Sequence, residues 1–135
     1  MRCKKGPAVQ SNRIGQIGYS LGAYLATSTA ALYPKQITAV VEYYGGLAAP
    51  LDGAVATMPP TLIIHGARDV LVNVSQAHDF DSLLTKAGRP HEMKIYPDAN
   101  HAFNFRVPGF YNDAADAWQL TLKFLAQYLQ GAPSN

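Results

Sequence analysis

A serine in this chain stands in the setting that nucleophilic catalysis requires. Ser20 lies at the centre of the pattern Gly-Tyr-Ser-Leu-Gly over residues 18–22, between an apolar run and a helical pattern. A strand, a tight turn and a helix in succession are typical of a nucleophile elbow, in which the helix N-terminus faces the serine oxygen. The five-residue pattern alone is a weak signal, because a glycine-rich turn can match it by chance. Its setting favours a nucleophilic serine.

A serine hydroxyl attacks a carbonyl only when a base removes its proton, and the chain has four histidines. His101 lies in a loop after the fourth predicted strand, at the same edge of the sheet as Ser20, and is the best candidate base. The other three histidines fit other positions better, namely a hydrogen-bonded strand end for His65, a solvated helix for His78 and a strand start for His91.

The base in turn needs a carboxylate that fixes its tautomer and stabilises the imidazolium. Asp69 follows the third predicted strand and is the candidate. Asp98 suits its own Pro-Asp-Ala-Asn turn better, and Asp52, in an irregular connection, is a weaker alternative. Ser20, Asp69 and His101 follow the Ser…Asp…His order of α/β-hydrolases. Three candidates at one edge of the sheet predict acyl transfer through a serine.

These side chains must be positioned by a parallel sheet. Strands that alternate with helices predict the order β-α-β-loop-β-α-β-loop-α, which is a three-layer α/β fold with a mostly parallel sheet of about four strands and helices on both faces. Ligands usually bind in the loops at the carboxyl ends of such strands. The predicted strands are 13–20, 37–44, 61–66 and 91–97; the predicted helices start near residues 21, 73 and 112, with Gly88 ending the second and Asn112 capping the third.

Composition and charge argue against several other classes of protein. The chain has 135 residues, 48% of them hydrophobic and 15% charged, which suits a globular protein. We expect residues 1–12 to be a polar lead-in and residues 13–135 to be a single domain. A net charge of +2 does not indicate a nucleic-acid partner, and no apolar run approaches the roughly 20 residues that span a membrane.

The remaining composition bears on compartment and cofactors. The single cysteine, Cys3, cannot form an intrachain disulfide, so we expect a reducing, cytoplasmic location. No cluster of His, Cys, Asp and Glu has the spacing of metal ligands, and no glycine-rich loop suits a nucleotide. We therefore expect neither a metal nor a cofactor.

From about residue 13 onward, the chain resembles the dienelactone hydrolase family of α/β-hydrolases. The resemblance rests on RIGQIGYSLGAYLA, PTLIIHGARDVLVNV and, most specifically, HEMKIYPDANHAFNFRVPGFYNDAADAWQLTLKFL. It implies that Ser20 is the nucleophile, Asp69 the acid and His101 the base. The founding enzymes of the family have cysteine where this chain has Ser20, which favours general ester or lactone hydrolysis over the dienelactone reaction.

The resemblance covers only the C-terminal half of the family's fold, so we expect a truncated α/β-hydrolase fold. In this fold one oxyanion donor is the backbone N–H after the nucleophile, here Leu21, and the other comes from a loop further upstream. The resemblance also implies that the strands lie side by side in chain order, which leaves strand 13–19 as an open edge. We expect two copies to pair through that edge into a homodimer with a continuous eight-stranded sheet.

The principal hypothesis is therefore a serine hydrolase that cleaves small carboxylic esters or lactones through an acyl-enzyme intermediate. Two alternatives stay open. One is a truncated, catalytically weak hydrolase-like domain that mainly self-associates, and the other is a serine peptidase of the prolyl-oligopeptidase type. Possible substrate-pocket residues are Tyr19, Tyr44, Phe103 and Arg106, with core packing or a solvated surface position as the competing interpretation.

Overall fold

A computed structural model describes residues 10–105 and 107–130 of the chain. Over these ranges four parallel strands form one sheet in the order β1-β2-β3-β4. The predicted α/β fold class and the predicted strand order are both confirmed. The strands are β1 (Gly15–Tyr19), β2 (Ala39–Tyr43), β3 (Thr61–Gly66) and β4 (His91–Tyr96).

The connections between the strands are helical. The helices are α1 (Leu21–Leu32), α2 (Ser75–Lys86) and α3 (Tyr111–Leu129), and a 3-10 helix occupies Ala49–Thr57 between β2 and β3. The sequence predicted an irregular connection there, but Pro50 in the first turn has the fixed φ that a helix start accepts. None of the helices in the described ranges is both long and apolar enough to cross a bilayer.

The ends of two helices test the predicted caps. Gly88 follows α2 with φ of 65°, the left-handed conformation that commonly ends a helix. The prediction that Asn112 caps α3 is wrong, because the helix begins at Tyr111 and Phe110 occupies the cap position. The Phe110 carbonyl accepts the Ala114 N–H at 2.9 Å, so the helical hydrogen bonds start before Asn112 is reached.

Side-chain alternation along β2 and β3 divides the core into two layers. One layer packs against α1, the 3-10 helix and α2, and includes Val40, Ile63, Met58, Phe80 and Leu84. The other packs against α3 and includes Val41, Leu62, Ile64, Phe103 and Phe124. Each large side chain buried in this way contributes about 1.5–3 kcal/mol of transfer free energy. Both central strands are buried along their whole length, which fixes the strand ends that carry the site.

The two outer strands differ in character. β4 alternates between half-buried and exposed residues from His91 to Ile95, which suits a strand at the edge of a sheet. β1 pairs with β2 from Gly15↔Ala39 to Tyr19↔Tyr43 and has no second partner among the described residues. Beneath β1, Gly15 packs closely on α3: a Cβ added at Gly15 would lie 2.9 Å from the Leu129 side chain and 3.1 Å from that of Leu125.

Exposed apolar side chains also lie on the helices next to β1. We define the β1 edge surface as β1 together with the exposed apolar residues of the adjoining segments. These are Ile14 before the strand, Leu21 and Leu25 on α1, and Trp118 and Leu122 on the stripe of α3 that includes Leu125. Leu25 lies 62% exposed, and it lines a groove with Gly15, Gln16 and Ile17 of β1. Exposed apolar side chains therefore lie on both the α1 side and the α3 side of a strand that has only β2 as a partner within residues 10–105 and 107–130.

Candidate active site

Ser20 lies in a strained turn between β1 and α1. Its φ of 54° is in the left-handed region that residues other than glycine rarely adopt. The Ser20 N–H donates to the Tyr43 carbonyl at 2.9 Å, and the Ser20 carbonyl accepts the Ala23 N–H at 2.9 Å. These bonds hold the serine in the geometry of a nucleophile elbow.

The two glycines of the pattern have different roles in this turn. A Cβ on Gly18 would lie 2.2 Å from the Gly22 carbonyl oxygen, so only glycine fits where β1 passes α1. A Cβ on Gly22 would meet no atom within 4 Å. Close packing of strand and helix therefore requires glycine at the first of these positions and not at the second.

Three candidate side chains from separate loops form a chain of hydrogen bonds. His101 Nε2 lies 3.0 Å from Ser20 Oγ, and His101 Nδ1 lies 2.7 Å from Asp69 Oδ2. The Asp69 side chain has no exposed surface, and that of His101 is 13% exposed. With Nδ1–H donating to the carboxylate, the Nε2 lone pair faces the serine hydroxyl and can accept its proton.

The loop after β3 holds the Asp69 carboxylate in place. Asp69 Oδ1 accepts the Leu71 N–H at 2.9 Å and the Val72 N–H at 2.8 Å, which leaves Oδ2 for His101. Two backbone donors on one oxygen fix the carboxylate without a cation. Asp98, the rival acid, instead pairs with Arg68 at 3.1 Å in an exposed position.

His65 also lies against Asp69, a contact that the sequence interpretation missed. Its Nε2 is 2.9 Å from the Val72 carbonyl and 3.4 Å from Asp69 Oδ2. Burial lowers the pKa of His65, so the ring is neutral and donates Nε2–H. The sequence predicted a hydrogen bond for His65 at the end of its strand. It did not predict the contact with Asp69, for which the only available signal was the spacing of four residues between the two.

The other two histidines lie away from this chain of hydrogen bonds. His78 is exposed on α2. His91 begins β4, at the opposite end of the sheet, where its Nε2 lies 3.0 Å from Asp81 Oδ1. Of the four histidines, His101 is therefore the one whose ring nitrogen the described structure brings to Ser20.

A cluster of aromatic rings reaches the histidine through Tyr44. The rings of Tyr44 and His101 are 4.6 Å apart, and the Tyr44 hydroxyl donates to Asn104 Oδ1 at 2.7 Å. Tyr19 contacts Tyr43 at 4.9 Å and Phe105 at 5.3 Å between ring centroids. Asn104 was not singled out from the sequence, because its amide approaches the site only through loop geometry.

The possible pocket residues have different surroundings. Tyr19 is half-buried, whereas Tyr44 is 1% exposed and its ring contacts the ring of His101 at a tilted angle. Phe103 has no exposed surface and packs against Tyr44 and Tyr96 in the core. Arg106 lies outside the described residues.

The oxyanion donor expected from this chain is the backbone N–H of Leu21, which lies at the N-terminus of α1. Leu21 is the first residue of the helix, and the first N–H groups of a helix have no acceptor within it. The N–H of Leu21 follows Ser20 directly and is available to an oxygen bound at the serine. Among the described residues, no group of three or more His, Cys, Asp and Glu side chains could hold a metal ion.

Comparisons with known proteins relate this arrangement to one family. The sequence model of the dienelactone hydrolase family matches residues 2–129. A carboxymethylenebutenolidase from Rhodococcus opacus is 31% identical over an alignment that covers 90% of this chain and 52% of that protein. A crystal structure from Klebsiella pneumoniae, provisionally named a dienelactone hydrolase, is 28% identical with a TM-score of 0.76, and the match covers 88% of this chain and 54% of that one.

Proteins with much lower sequence identity to this chain share its fold. An acylaminoacyl peptidase from Pyrococcus horikoshii superposes with a TM-score of 0.82 at 17% identity, over 96% of this chain and 26% of that one. Identity this low shows a shared fold alone. The chain spans about half the length of the carboxymethylenebutenolidase and of the Klebsiella protein.

Proposed function

Because the chain belongs to the dienelactone hydrolase family, we propose that it is a serine hydrolase that cleaves small carboxylic esters or lactones. The observation that carries the proposal is the continuous path from Ser20 Oγ to His101 at 3.0 Å and from His101 to Asp69 at 2.7 Å. Oxygen rather than sulfur at the nucleophile position supports an ester or lactone substrate over the reaction of the family's cysteine enzymes.

The proposed reaction proceeds through an acyl-enzyme. Ser20 Oγ attacks the carbonyl carbon while His101 Nε2 takes the hydroxyl proton, and Asp69 stabilises the imidazolium that results. The Leu21 N–H donates to the oxyanion of the tetrahedral intermediate. Collapse of this intermediate expels the alcohol, which takes its proton from His101. Water activated by His101 then attacks the acyl group and releases the acid and free Ser20.

The substitution Ser20→Ala tests the proposal. It removes the attacking oxygen, so turnover of a short-chain nitrophenyl ester should fall by about 10³-fold or more. Ser28→Ala, a change of the same type in α1, is the matched control and should keep the parent activity. A Ser20→Ala variant as active as the parent would refute the proposed role of Ser20.

Labelling by a fluorophosphonate gives a second measurement of the same site. Such a reagent phosphonylates an activated serine, so mass spectrometry of the parent protein should place the adduct on the peptide that contains Ser20. The Ser28→Ala variant should label equally, and Ser20→Ala should not. A parent protein that does not react would favour the second candidate function.

That second candidate is a catalytically weak domain that mainly self-associates, and the β1 edge surface favours it. Within the described part of the chain, β1 has a free edge and exposed apolar side chains beside it, so it offers both backbone groups and apolar area to a second copy. Two copies paired antiparallel through β1 (Gly15–Tyr19) would form one eight-stranded sheet about a two-fold axis. Light scattering after size exclusion should give twice the mass of one chain, and a clean monomer at micromolar concentration would contradict it.

A further inference from the structure

A buried carboxyl group lies beneath the elbow that carries Ser20. Glu42 on β2 has no exposed surface. Its Oε2 accepts the Gly45 N–H at 2.9 Å, and its Oε1 has no hydrogen-bond partner among the described residues. A buried carboxyl with a single polar contact is unfavourable for folding. Glu42 is thus an unusual residue for a central strand, and the proposed mechanism does not use it.

The residues that follow Glu42 touch the nucleophile. We call residues 43–46 the β2 turn. Its Tyr43 carbonyl accepts the Ser20 N–H at 2.9 Å. Gly45 packs so closely on the elbow that a Cβ there would lie 2.4 Å from Ala23 Cβ and 3.1 Å from the Ser20 carbonyl oxygen. A shift of the β2 turn would therefore move the backbone of Ser20.

The same turn also touches the base. Tyr44 has φ of 42°, a strained conformation for a tyrosine, and its ring lies 4.6 Å from the ring of His101. Strain of this kind persists only where surrounding bonds hold it. Two such bonds flank the residue: the Tyr44 N–H donates to the Ile64 carbonyl at 2.7 Å, and the next N–H, of Gly45, donates to Glu42.

We propose that Glu42, as a neutral carboxylic acid, is a positioning residue for the hydrolase: its hydrogen bond to Gly45 holds the β2 turn, which aligns Ser20 with His101. This inference rests on the proposed function. When Glu42 loses its proton, the buried charge favours an open turn in which water reaches the carboxylate. Alignment and turnover are then lost together.

The electrostatic surroundings of Glu42 support this behaviour. Burial raises its pKa to about 8, although the Gly45 hydrogen bond acts in the opposite direction. The titratable side chain that faces Glu42 from α1 is Tyr24, whose pKa is raised by burial and, to a lesser extent, by the charges of Glu42 and Asp69. Glu42 takes part in none of the ion pairs of the described residues.

The neighbouring strands likewise bring no cation to Glu42. Its register partner on β1 is Gly18 and on β3 is Ile63. His65, two residues beyond Ile63 on the same face, is kept neutral because burial lowers its pKa. Nothing in these strands therefore compensates a carboxylate at this position.

The pH dependence of turnover tests the inference. For the parent protein, kcat/KM for a short-chain nitrophenyl ester should fall above about pH 8. Glu42→Gln keeps an uncharged acceptor for Gly45 and should match the parent at pH 7 while retaining its activity at pH 9.5. Glu42→Ala has no acceptor and should lose kcat at every pH. Glu92→Gln, at an exposed position of β4, is the control and should keep the parent profile.

An alkaline loss that is the same in the parent and in Glu42→Gln would overturn the inference. A measurement that does not need activity separates this result from a failure of the proposed function. In a Ser20→Ala background, amide hydrogen-exchange protection of residues 43–46 should decrease between pH 7 and 9.5, and Glu42→Gln should abolish the decrease. Protection that is independent of Glu42 would also contradict the inference, whether or not the protein hydrolyses esters.

Discussion

Asp69 is the residue whose surroundings specify its proposed role most fully. One carboxylate oxygen accepts two backbone N–H groups, and the other faces His101 at 2.7 Å and His65 at 3.4 Å. These backbone hydrogen bonds therefore fix the orientation of the carboxylate, with Oδ2 directed at His101. The proximity of Ser20, Asp69 and His101 could be predicted because all three follow the carboxyl ends of parallel strands. The contact with His65 could not, because it depends on how far the loop after β3 folds back.

The substitution Asp69→Asn tests the proposed role of the Asp69 carboxylate. An amide stabilises the imidazolium poorly and can favour the wrong tautomer of His101, so kcat should fall by about 10⁴-fold. Binding of an ester should change much less, which a comparison of kcat with KM would show. Asp98→Asn, which alters only the exposed pair with Arg68, should leave both constants within about twofold. Equal losses in the two variants would contradict the proposed role of Asp69.

A second prediction at this scale concerns the stability of the protein in acid. The folded state lowers the pKa of His65, so below about pH 6.5 the unfolded chain binds a proton that the folded chain does not. Stability is then lost as the pH falls through this range, by up to about 1.4 kcal/mol per pH unit. Urea unfolding between pH 5 and 8 should show this loss in the parent and a smaller loss in His65→Gln. The exposed His78→Gln variant should behave like the parent.

The elbow between β1 and α1 shows how an element positions a side chain. The strand delivers Ser20 to the sheet edge, and the helix starts at once, so the backbone has to turn within a single strained residue. β3 matched its predicted bounds because β-branched and apolar residues run from Thr61 to Ile64, between Pro60 before the strand and Gly66 at its end. The start of α3 was misplaced because Asn112 has the side chain of a cap, whereas the Pro-Gly turn before Phe110 sets where the helix begins.

The glycines of the elbow provide a matched pair of substitutions. Gly18→Ala places a Cβ 2.2 Å from backbone and should unfold or strongly destabilise the protein. Gly22→Ala fills open space on a helix and should stabilise it by about 0.5–1 kcal/mol. Thermal unfolding of the two variants beside the parent measures both effects. A Gly18→Ala variant as stable as the parent would show that the strand and the helix are not packed in this way.

At the scale of the whole molecule, the two edges of the sheet differ in polarity: the β4 edge is suited to contact with water, and the β1 edge is not. β4 places charged residues on its exposed face, whereas β1 is flanked by the exposed apolar residues Leu21, Leu25, Trp118 and Leu122. The parallel sheet could be predicted from alternating strands and helices, and its strand order from the family resemblance. The extent of the β1 edge surface could not, because it depends on which side of α3 meets β1.

The proposed pairing through this surface predicts the effect of a charge within it. Leu25→Glu would bring two like charges together across the two-fold axis, so the dimer should dissociate to single chains at micromolar concentration. Val70→Glu makes the same change at a site that is 90% exposed in the loop after β3, and its mass should equal that of the parent. Sedimentation velocity would distinguish the variants. Loss of the dimer in both would indicate an effect of charge in general.

The order of the strands also has a consequence for how the chain folds. Each strand pairs with its neighbour in sequence, so the sheet can grow one strand at a time and each step closes a short loop. The hydrogen bond between Ser20 and His101 instead joins residues 81 positions apart. A nascent chain would therefore complete its four strands before Ser20 meets His101, so the proposed activity would appear only after β4 has joined the sheet.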